Sequence, residues 1–386
     1  MQTFIERISE YREKLLSMRE MVIANILFTG QIPSPTFREE ARAQHFLQRL
    51  AEFGVDECFT DDIGNPVGIL HGRRQTRKPP VFLVAHLDTV WDSHFDYNYV
   101  VKEDKIIGPG LIDNSAGVGV LLTLPEIFKR LELTFNSDIV LAAPVQSIGQ
   151  GNLAGIRHLV AGWKGSIRSA ICLEGGELGR LNYFSQSMVR AEVRCDIPDN
   201  EGYLSQYKKN AILILNDVMD QILAIRLPQK PQTHINIGKI EGGVKHGEVP
   251  SLAELGFEII SDDDGVVQEV ASQIQAIVHN IKHEYDVQLE MTVLSQAHAS
   301  KLAYNHPLVK NALSLMEALK IKPAIESSES ELSVFLSKGI PAVTLGLTHG
   351  DNYHQHDAEI RIAPLFDGIL QLLGILTAID NGVCDE

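Results

Sequence analysis

The chain has 386 residues, of which 44% are hydrophobic and 22% are charged. This balance is typical of a globular protein and excludes a disordered or fibrous one. The formal net charge of -16 opposes nonspecific binding to nucleic acid or to anionic lipid, because both carry negative charge. The length exceeds that of one compact core of ordinary size, so we expect two domains.

The cysteines and the N-terminus indicate a reducing compartment. The cysteines are scattered without a CxxC pair, which predicts neither a disulfide framework nor a thiolate zinc site. The first residues, Met1–Arg7, are charged and lack a secretory apolar segment, and we expect no run long enough to cross a bilayer. The predicted location is therefore cytoplasmic. The four cysteines are Cys58, Cys172, Cys195 and Cys384.

The first part of the chain alternates helices with apolar strands. Residues 1–54 have helical spacing interrupted at 30–35, which predicts two helices joined by a turn. Residues 81–85 and 138–143 predict strands buried in a mixed or parallel sheet, and 115–131 predicts a helix between them. This order indicates an α/β layer whose functional residues lie at strand ends.

The pattern changes at about residue 184. Up to residue 294 the predicted order is strand, helix, strand, strand, helix, strand, which is typical of a small α+β sandwich. We therefore expect an inserted domain at 184–294 within a discontinuous domain formed by 1–183 and 295–386. The predicted elements of the insertion are 187–195, 206–225, 234–240, 253–260, 265–283 and 287–294.

Two segments that follow apolar stretches carry candidate metal ligands. His86 and Asp88 come directly after a strand, and their spacing in an extended chain directs both side chains to the same face, where the acid can hold a metal-bound imidazole. Asp113 follows a Gly-rich turn and could equally be a helix N-cap. Glu174 ends the apolar stretch 170–173 and could equally be an exposed acid.

Two further candidates, His354 and His356, lie in a His-rich loop that could equally be a solvated turn. Together with the acids and His86, these are the residue types that build a zinc site from imidazole and carboxylate. The combination, more than any single motif, predicts a metal centre.

The motifs together resemble the zinc metallopeptidase family of aminoacylase, carboxypeptidase G, peptidase T and succinyl-diaminopimelate desuccinylase. The resemblance covers nearly the whole chain and includes Gly242-Gly243 and Val249-Pro250 of the insertion. It implies a mixed-sheet catalytic domain with an inserted α+β, ferredoxin-like lid and dimerisation domain. The motifs that carry it are Val84-Ala85-His86-Leu87-Asp88, 108–117, Leu173-Glu174 and 354–359.

The resemblance also implies roles for these residues. His86, Asp113 and Glu174 would bind a first metal, and Asp113 would bridge to a second metal held partly by His354. Asp88 would orient His86. The implied metal is Zn²⁺ at one or two sites, with Mn²⁺ or Co²⁺ as alternatives because these ligands select poorly among the three.

The chain departs from the family pattern where paired glutamates are expected. In the family the first glutamate activates the shared water and the second binds a metal, whereas this chain has Gln146 and Ser147. An amide cannot accept a proton as a carboxylate does, and a neutral hydroxyl is a poor ligand for a divalent cation. A shift of register does not recover the pair, since Asp138 is the only acidic residue between Leu133 and Leu173.

Other family groups are also absent. No histidine lies between 183 and 232, Gly247 stands where asparagine is common, and no arginine lies near Ile260. Substitute groups are a further hypothesis. His356 or His349 could complete the second metal site, and Glu177 could approach the water.

Two functions remain open. One is a cytoplasmic, metal-dependent hydrolase of a peptide or N-acyl amino acid with an altered site around Gln146 and Ser147. The other is a noncatalytic family member whose cleft binds a small molecule or whose insertion forms a dimeric scaffold. A protein with no metal bound is a further alternative. In either case the resemblance implies a homodimer through the inserted domain.

Overall fold

The computed structural model of the chain describes residues 2–73, 78–198 and 209–385. The chain divides into two compact units, one formed by Met1–Phe184 with Lys301–Glu386 and the other by Ser185–Ser300. The second unit is inserted into the first. The predicted boundaries lie at 183/184 and 294/295, and the later return point reflects a last strand that continues to Ala297.

The elements are numbered in chain order. The helices are α1 (Gln2–Glu6), α2 (Ile8–Leu16), α3 (Arg19–Gly30), α4 (Glu40–Glu52), α5 (Ala116–Leu131), α6 (Ala154–Gly162), α7 (Ala211–Leu223), α8 (Asp264–Tyr285), α9 (Pro307–Leu319), α10 (Glu331–Ser337) and α11 (Ile362–Asp380). The strands are β1 (Glu57–Thr60), β2 (Pro66–Leu70), β3 (Lys78–Val84), β4 (Val100–Val101), β5 (Lys105–Ile107), β6 (Ser137–Ala142), β7 (Ser169–Glu174), β8 (Leu181–Asn182), β9 (Phe184–Ser185), β10 (Ser187–Asp196), β11 (Thr233–Gly242), β12 (Leu252–Ser261), β13 (Gln288–Ala297), β14 (Ser300–Lys301), β15 (Ala342–Gly346), β16 (Gly350–Asp351) and β17 (Glu359–Arg361).

A seven-stranded mixed sheet organises the first unit, in the order β1-β2-β6-β3-β7-β15-β8. Its four central strands, β6, β3, β7 and β15, are parallel. Val81 and Leu83 of β3 pack into the hydrophobic cluster on one face of the sheet, and Phe82 and Val84 into the cluster on the other. Because both faces are covered, the strand is apolar at every one of these positions, and the parallel strands all end at one edge of the sheet.

The N-terminal segment contains four helices, so the prediction of two helices was wrong in number. The break between α3 and α4, residues 31–39, contains all of the predicted turn except Gly30, and two shorter breaks precede it. Arg7 and Met18 leave helical geometry, with ψ angles of 4° and 8°. Apolar spacing continues across such short breaks because the next helix still faces the same core, so periodicity does not reveal them.

Arg42 of α4 connects the segment that follows α3 to the segment that follows β3. It is fully buried, and its guanidinium donates to the carbonyl oxygens of Ile32 at 3.0 Å and Leu87 at 3.0 Å. Leu87 lies between His86 and Asp88, so this contact holds the segment that follows β3.

We expect Arg42→Met to lower the free energy of unfolding by about 3 kcal/mol, since each buried carbonyl left without a donor costs about 1–3 kcal/mol. Urea unfolding followed by circular dichroism measures the change. Arg38→Met is the matched control, because Arg38 is an exposed arginine close by in sequence. A change of less than 1 kcal/mol in Arg42→Met would contradict the role assigned to this side chain.

The second unit is a four-stranded antiparallel sheet with two helices. The sheet order is β11-β12-β10-β13, and the chain order βαββαβ is the predicted one. Helices α7 and α8 contribute to a separate hydrophobic core that includes Leu215 and Ile274. The described part of α7 begins after Asn210, whose side chain accepts from Ile212 N at 3.0 Å. The predicted start of this helix at residue 206 lies outside the described residues.

Two helical segments among the described residues have the length and composition of a membrane span, which corrects the expectation that no run is long enough. They are Leu111–Leu131 and Ile362–Asp380, and 89% and 78% of their apolar windows are buried inside the fold. Burial in the core explains why both segments are largely apolar, since a helix face covered by core needs no polar residues.

Candidate metal centre

Three predicted ligands meet at the carboxyl edge of the parallel strands. His86 follows β3, Glu174 is the last residue of β7, and Asp113 lies in the helical turn Leu111–Ser115 that precedes α5. One donor atom from each lies within 4.8 Å of the other two. The closest pair is His86 Nε2 and Asp113 Oδ1, at 2.7 Å.

Asp88 lies behind His86. The His86 Nδ1 atom is 3.1 Å from the main-chain oxygen of Asp88 and 3.4 Å from its carboxylate Oδ1. The other carboxylate oxygen, Oδ2, accepts from Thr36 Oγ1 at 2.8 Å and from the backbone N–H groups of Ser147 at 3.0 Å and Ile148 at 2.9 Å. These contacts fix the Asp88 side chain, which in turn fixes the ring of His86 with Nε2 directed at Asp113.

The charges of the three predicted ligands are mutually dependent. Burial opposes charge on His86, yet the carboxylates of Asp113 and Asp88 raise the pKa of its imidazole well above the usual value. Burial opposes charge on Asp113 as well, but His86 holds the pKa of this carboxyl below its usual value. Glu174 differs from both, because withdrawal from water raises its pKa to about 7, with His86 lowering it and the neighbouring Asp113 raising it further. The cluster therefore contains two carboxyl groups and one imidazole, and the positive charge of the imidazole does not balance two ionised carboxylates.

His354 contacts this cluster through Asp113. Its Nδ1 atom is 3.5 Å from Asp113 Oδ2, and its side chain is 60% exposed. Asp113 thus presents one carboxylate oxygen to His86 and the other to His354, which is the arrangement of a bridging ligand.

The three groups predicted as substitute ligands or bases, His356, His349 and Glu177, lie outside the cluster. The ring of His356 packs against the rings of Trp91 and Phe95, with centroid separations of 5.7 and 6.0 Å. His349 is exposed. Glu177 accepts from Arg180 Nε at 2.9 Å. The structure therefore gives the side chains of His356 and Glu177 local partners, and it places none of the three side chains in the group formed by His86, Asp113 and Glu174.

The segment after β6 brings Gln146 and Ser147 to the same edge. Gln146 has a φ of 54°, and its backbone N–H donates to the buried carboxylate of Glu39 at 2.8 Å. Burial raises the pKa of Glu39. Ser147 donates from Oγ to Glu331 Oε1 at 2.6 Å.

Glu331 is the residue of this edge that sequence reasoning missed. It is the first residue of α10, is only 2% exposed, and adds to the negative potential at His86 and Glu174. The sequence Ser330-Glu331 before the mostly apolar segment 332–336 indicates a helix start. It contains no signal of which strand end the acid faces.

The donor set fits a divalent cation. Zinc binds imidazole nitrogen and carboxylate oxygen at about 2.0–2.2 Å, so its ligand atoms lie about 3–4 Å apart. The donor atoms of His86, Asp113 and Glu174 all lie within 4.8 Å of one another, which is close to this spacing. The Nδ1 side of His86 contacts an acid, as is usual for a metal-bound imidazole.

Comparison with known proteins identifies the family of this chain. The sequence matches the family described as Peptidase family M20/M25/M40 over residues 82–378. It is 21% identical to peptidase T from Caldanaerobacter subterraneus subsp. tengcongensis over 363 residues, which cover 81% of this chain and 85% of that protein.

Solved structures show the same fold at low identity. The dipeptidase Dug1p from Saccharomyces cerevisiae has a TM-score of 0.79 at 12% identity, with 97% of this chain and 99% of that chain covered. The YXEP protein of Bacillus subtilis, described as a dinuclear metal-binding peptidase of the M20 family, has a TM-score of 0.63 at 12% identity, with 99% of each chain covered. These matches confirm the family resemblance and the mixed α/β fold predicted from the sequence.

Proposed function

The chain belongs to peptidase family M20/M25/M40, and we propose that it is a metal-dependent hydrolase of a peptide or other amide bond with an altered active site. The observation that carries this proposal is the convergence of His86, Asp113 and Glu174 within 4.8 Å at the carboxyl edge of the sheet. Open α/β sheets bind their ligands at this edge.

We assign the residues as follows. His86, Asp113 and Glu174 hold a first cation, and Asp113 with His354 serves a second. Zn²⁺, Mn²⁺ and Co²⁺ all suit these ligands. When bound, such a cation polarises a carbonyl and lowers the pKa of a coordinated water. Asp88 orients His86 through the Nδ1 contacts at 3.1 and 3.4 Å.

The alteration lies at Gln146 and Ser147, which stand at the positions where the family resemblance implies a general base and a ligand. A positioned general base contributes about 10²–10⁴-fold to a rate. We therefore propose a turnover below that expected of a site with both glutamates, supported by the cation and by substrate positioning.

Substrate and assembly follow from the same family. We propose a short peptide or an N-acyl amino acid as substrate, and a homodimer formed through the inserted unit, Ser185–Ser300, acting also as a lid. A cytoplasmic location is supported by the cysteines, which are free thiols at all four positions.

The second candidate is a noncatalytic family member that binds a small molecule or serves as a dimeric scaffold. The observation that favours it is the neutral pair Gln146-Ser147, since loss of a base and a ligand together is what an inactive site would show. In that case the fixed geometry around Asp88 serves the fold alone.

A substrate screen distinguishes the two candidates. Dipeptides, tripeptides and N-acyl amino acids are incubated with protein loaded with zinc, manganese or cobalt, and released amine is measured. We expect turnover that chelation with EDTA removes and that the same metal restores. Absence of turnover across the panel in wild type, with turnover in Gln146→Glu/Ser147→Glu, would favour the noncatalytic candidate.

A further inference from the structure

We propose that Glu331 supplies from α10 the carboxylate ligand that position 147 lacks, so that the chain retains a site for a second divalent cation. The inference rests on the proposed function, because it assumes that His86, Asp113 and Glu174 hold the first cation. Glu331 lies far from the metal-binding motifs in sequence, being 184 residues after Ser147.

The position of the Glu331 carboxylate is the first argument. Ser147 Oγ occupies the place that Cγ would take in a glutamate at 147, and in glutamate Cγ lies about 2.4 Å from each carboxylate oxygen by ordinary bond lengths. Glu331 Oε1 lies 2.6 Å from Ser147 Oγ. The carboxylate oxygen of Glu331 therefore lies at about the distance from Ser147 Oγ that the carboxylate oxygens of a glutamate at position 147 would have from its Cγ.

The burial of Glu331 is the second argument. The residue is 2% exposed, and across residues 2–73, 78–198 and 209–385 its carboxylate makes a hydrogen bond with Ser147 but has no salt-bridge partner. Buried carboxylates are usually paired with a cation or coordinate a metal, because isolated burial of a charge is costly. A hydroxyl donor alone does not offset that cost, whereas a divalent cation would.

The balance of charge is the third argument. Asp113 and Glu174 together carry two negative charges, which equal the charge of one divalent cation. Two cations that share Asp113 would therefore need further negative charge, since His354 is a neutral ligand. Glu331 adds the carboxylate needed for the second cation.

The test is the stoichiometry of metal binding. Metal-free protein is titrated with Mn²⁺ and with Zn²⁺ by calorimetry, and bound metal after gel filtration is counted by mass spectrometry. We expect two equivalents of metal in wild type and one in Glu331→Gln. The affinity for the second cation should fall at least about 10-fold, because removing even an outer partner of a metal ligand lowers affinity about 10–100-fold. Glu326→Gln is the matched control, because Glu326 is exposed and precedes α10 in the same segment.

A rescue variant separates ligation from a purely structural role. In Ser147→Glu/Glu331→Gln the carboxylate returns at position 147, and we expect the second equivalent to return with it. A glutamine that merely weakened the start of α10 would not be rescued in this way. Glu331→Asp, which keeps the charge but shortens the side chain, should bind the second cation at intermediate affinity and serves if the glutamine variant does not fold.

Three outcomes would overturn the inference: a single equivalent in wild type, two equivalents with unchanged affinity in Glu331→Gln, or no recovery in the rescue variant. The proposed function fails separately. A wild-type protein that binds no metal contradicts both proposals, whereas one that binds a single equivalent and hydrolyses a substrate contradicts only the role of Glu331.

Discussion

Replacing His86 by alanine should abolish metal binding at the first site and reduce hydrolysis to the background rate. His86 contributes the one nitrogen donor of the three-residue cluster, and its Nε2 lies 2.7 Å from Asp113 Oδ1. The alanine variant leaves Asp113 and Glu174 without the neighbouring imidazole and removes one of three ligands. We expect metal affinity to fall more than about 100-fold, because loss of an outer partner alone costs about 10–100-fold.

Asp88→Asn should have a smaller effect of the same sign. The asparagine keeps the shape of the side chain but removes the charge beside His86 Nδ1, and it weakens acceptance from the N–H groups of Ser147 and Ile148. We expect metal affinity to fall about 10–100-fold. Calorimetric titration with zinc measures both variants, and His158→Ala is the control, because His158 is an exposed histidine of α6.

The ranking of these variants is the informative result. Equal losses of metal affinity in His86→Ala and Asp88→Asn would indicate that both variants disrupt the structure at the carboxyl edge of the sheet. In that case the thermal unfolding midpoints of both variants would decrease by similar amounts. Unchanged zinc affinity in His86→Ala would contradict the metal centre itself.

The central sheet could be predicted because the amino-acid pattern of its strands indicates that both faces of the sheet are buried. Val81–Ala85 is apolar at consecutive positions, and the structure buries alternate residues of β3 in two different clusters. A strand of this kind can only lie inside a covered sheet. The polar residues that end such strands meet at one edge, so His86 and Glu174 could be placed together before any distance was known.

Glu331 could not be placed in this way. Its partner Ser147 is 184 residues away, and their contact depends on how α10 packs between α6 and the sheet. The sequence around Glu331 reports only a helix start, since local spacing carries no information on which distant segment an acid faces. The same limit hid the short breaks at Arg7 and Met18, where the core beneath the helices continues although the backbone does not.

Gln146→Glu should raise the rate of hydrolysis by about 10²–10⁴-fold if the site lacks a general base. Glutamate and glutamine have the same shape, and the backbone at this position is already held at a φ of 54° with its N–H bound to Glu39. The substitution therefore changes the chemistry of the side chain with little change in its position. The rate under saturating substrate is the measurement, and the pH dependence of that rate would report the new acid.

The control for this variant is Gln150→Glu, which adds the same charge four residues later at an exposed position. A similar increase in both variants would mean that added negative charge, and not a positioned base, accelerates the reaction. No increase in Gln146→Glu, with turnover already present in wild type, would mean that another group activates the water.

Adding Ser147→Glu to Gln146→Glu tests whether carboxylates at positions 147 and 331 bind the same cation. A glutamate at 147 would place its carboxylate close to that of Glu331, whose oxygen is 2.6 Å from the present serine hydroxyl. Like charges at this distance repel, so the metal-free double variant Gln146→Glu/Ser147→Glu should unfold more easily than Gln146→Glu alone. A divalent cation removes the repulsion, and added zinc should therefore raise the unfolding midpoint of the double variant more than that of wild type. If zinc stabilises the two proteins equally, the carboxylates at 147 and 331 do not share a cation.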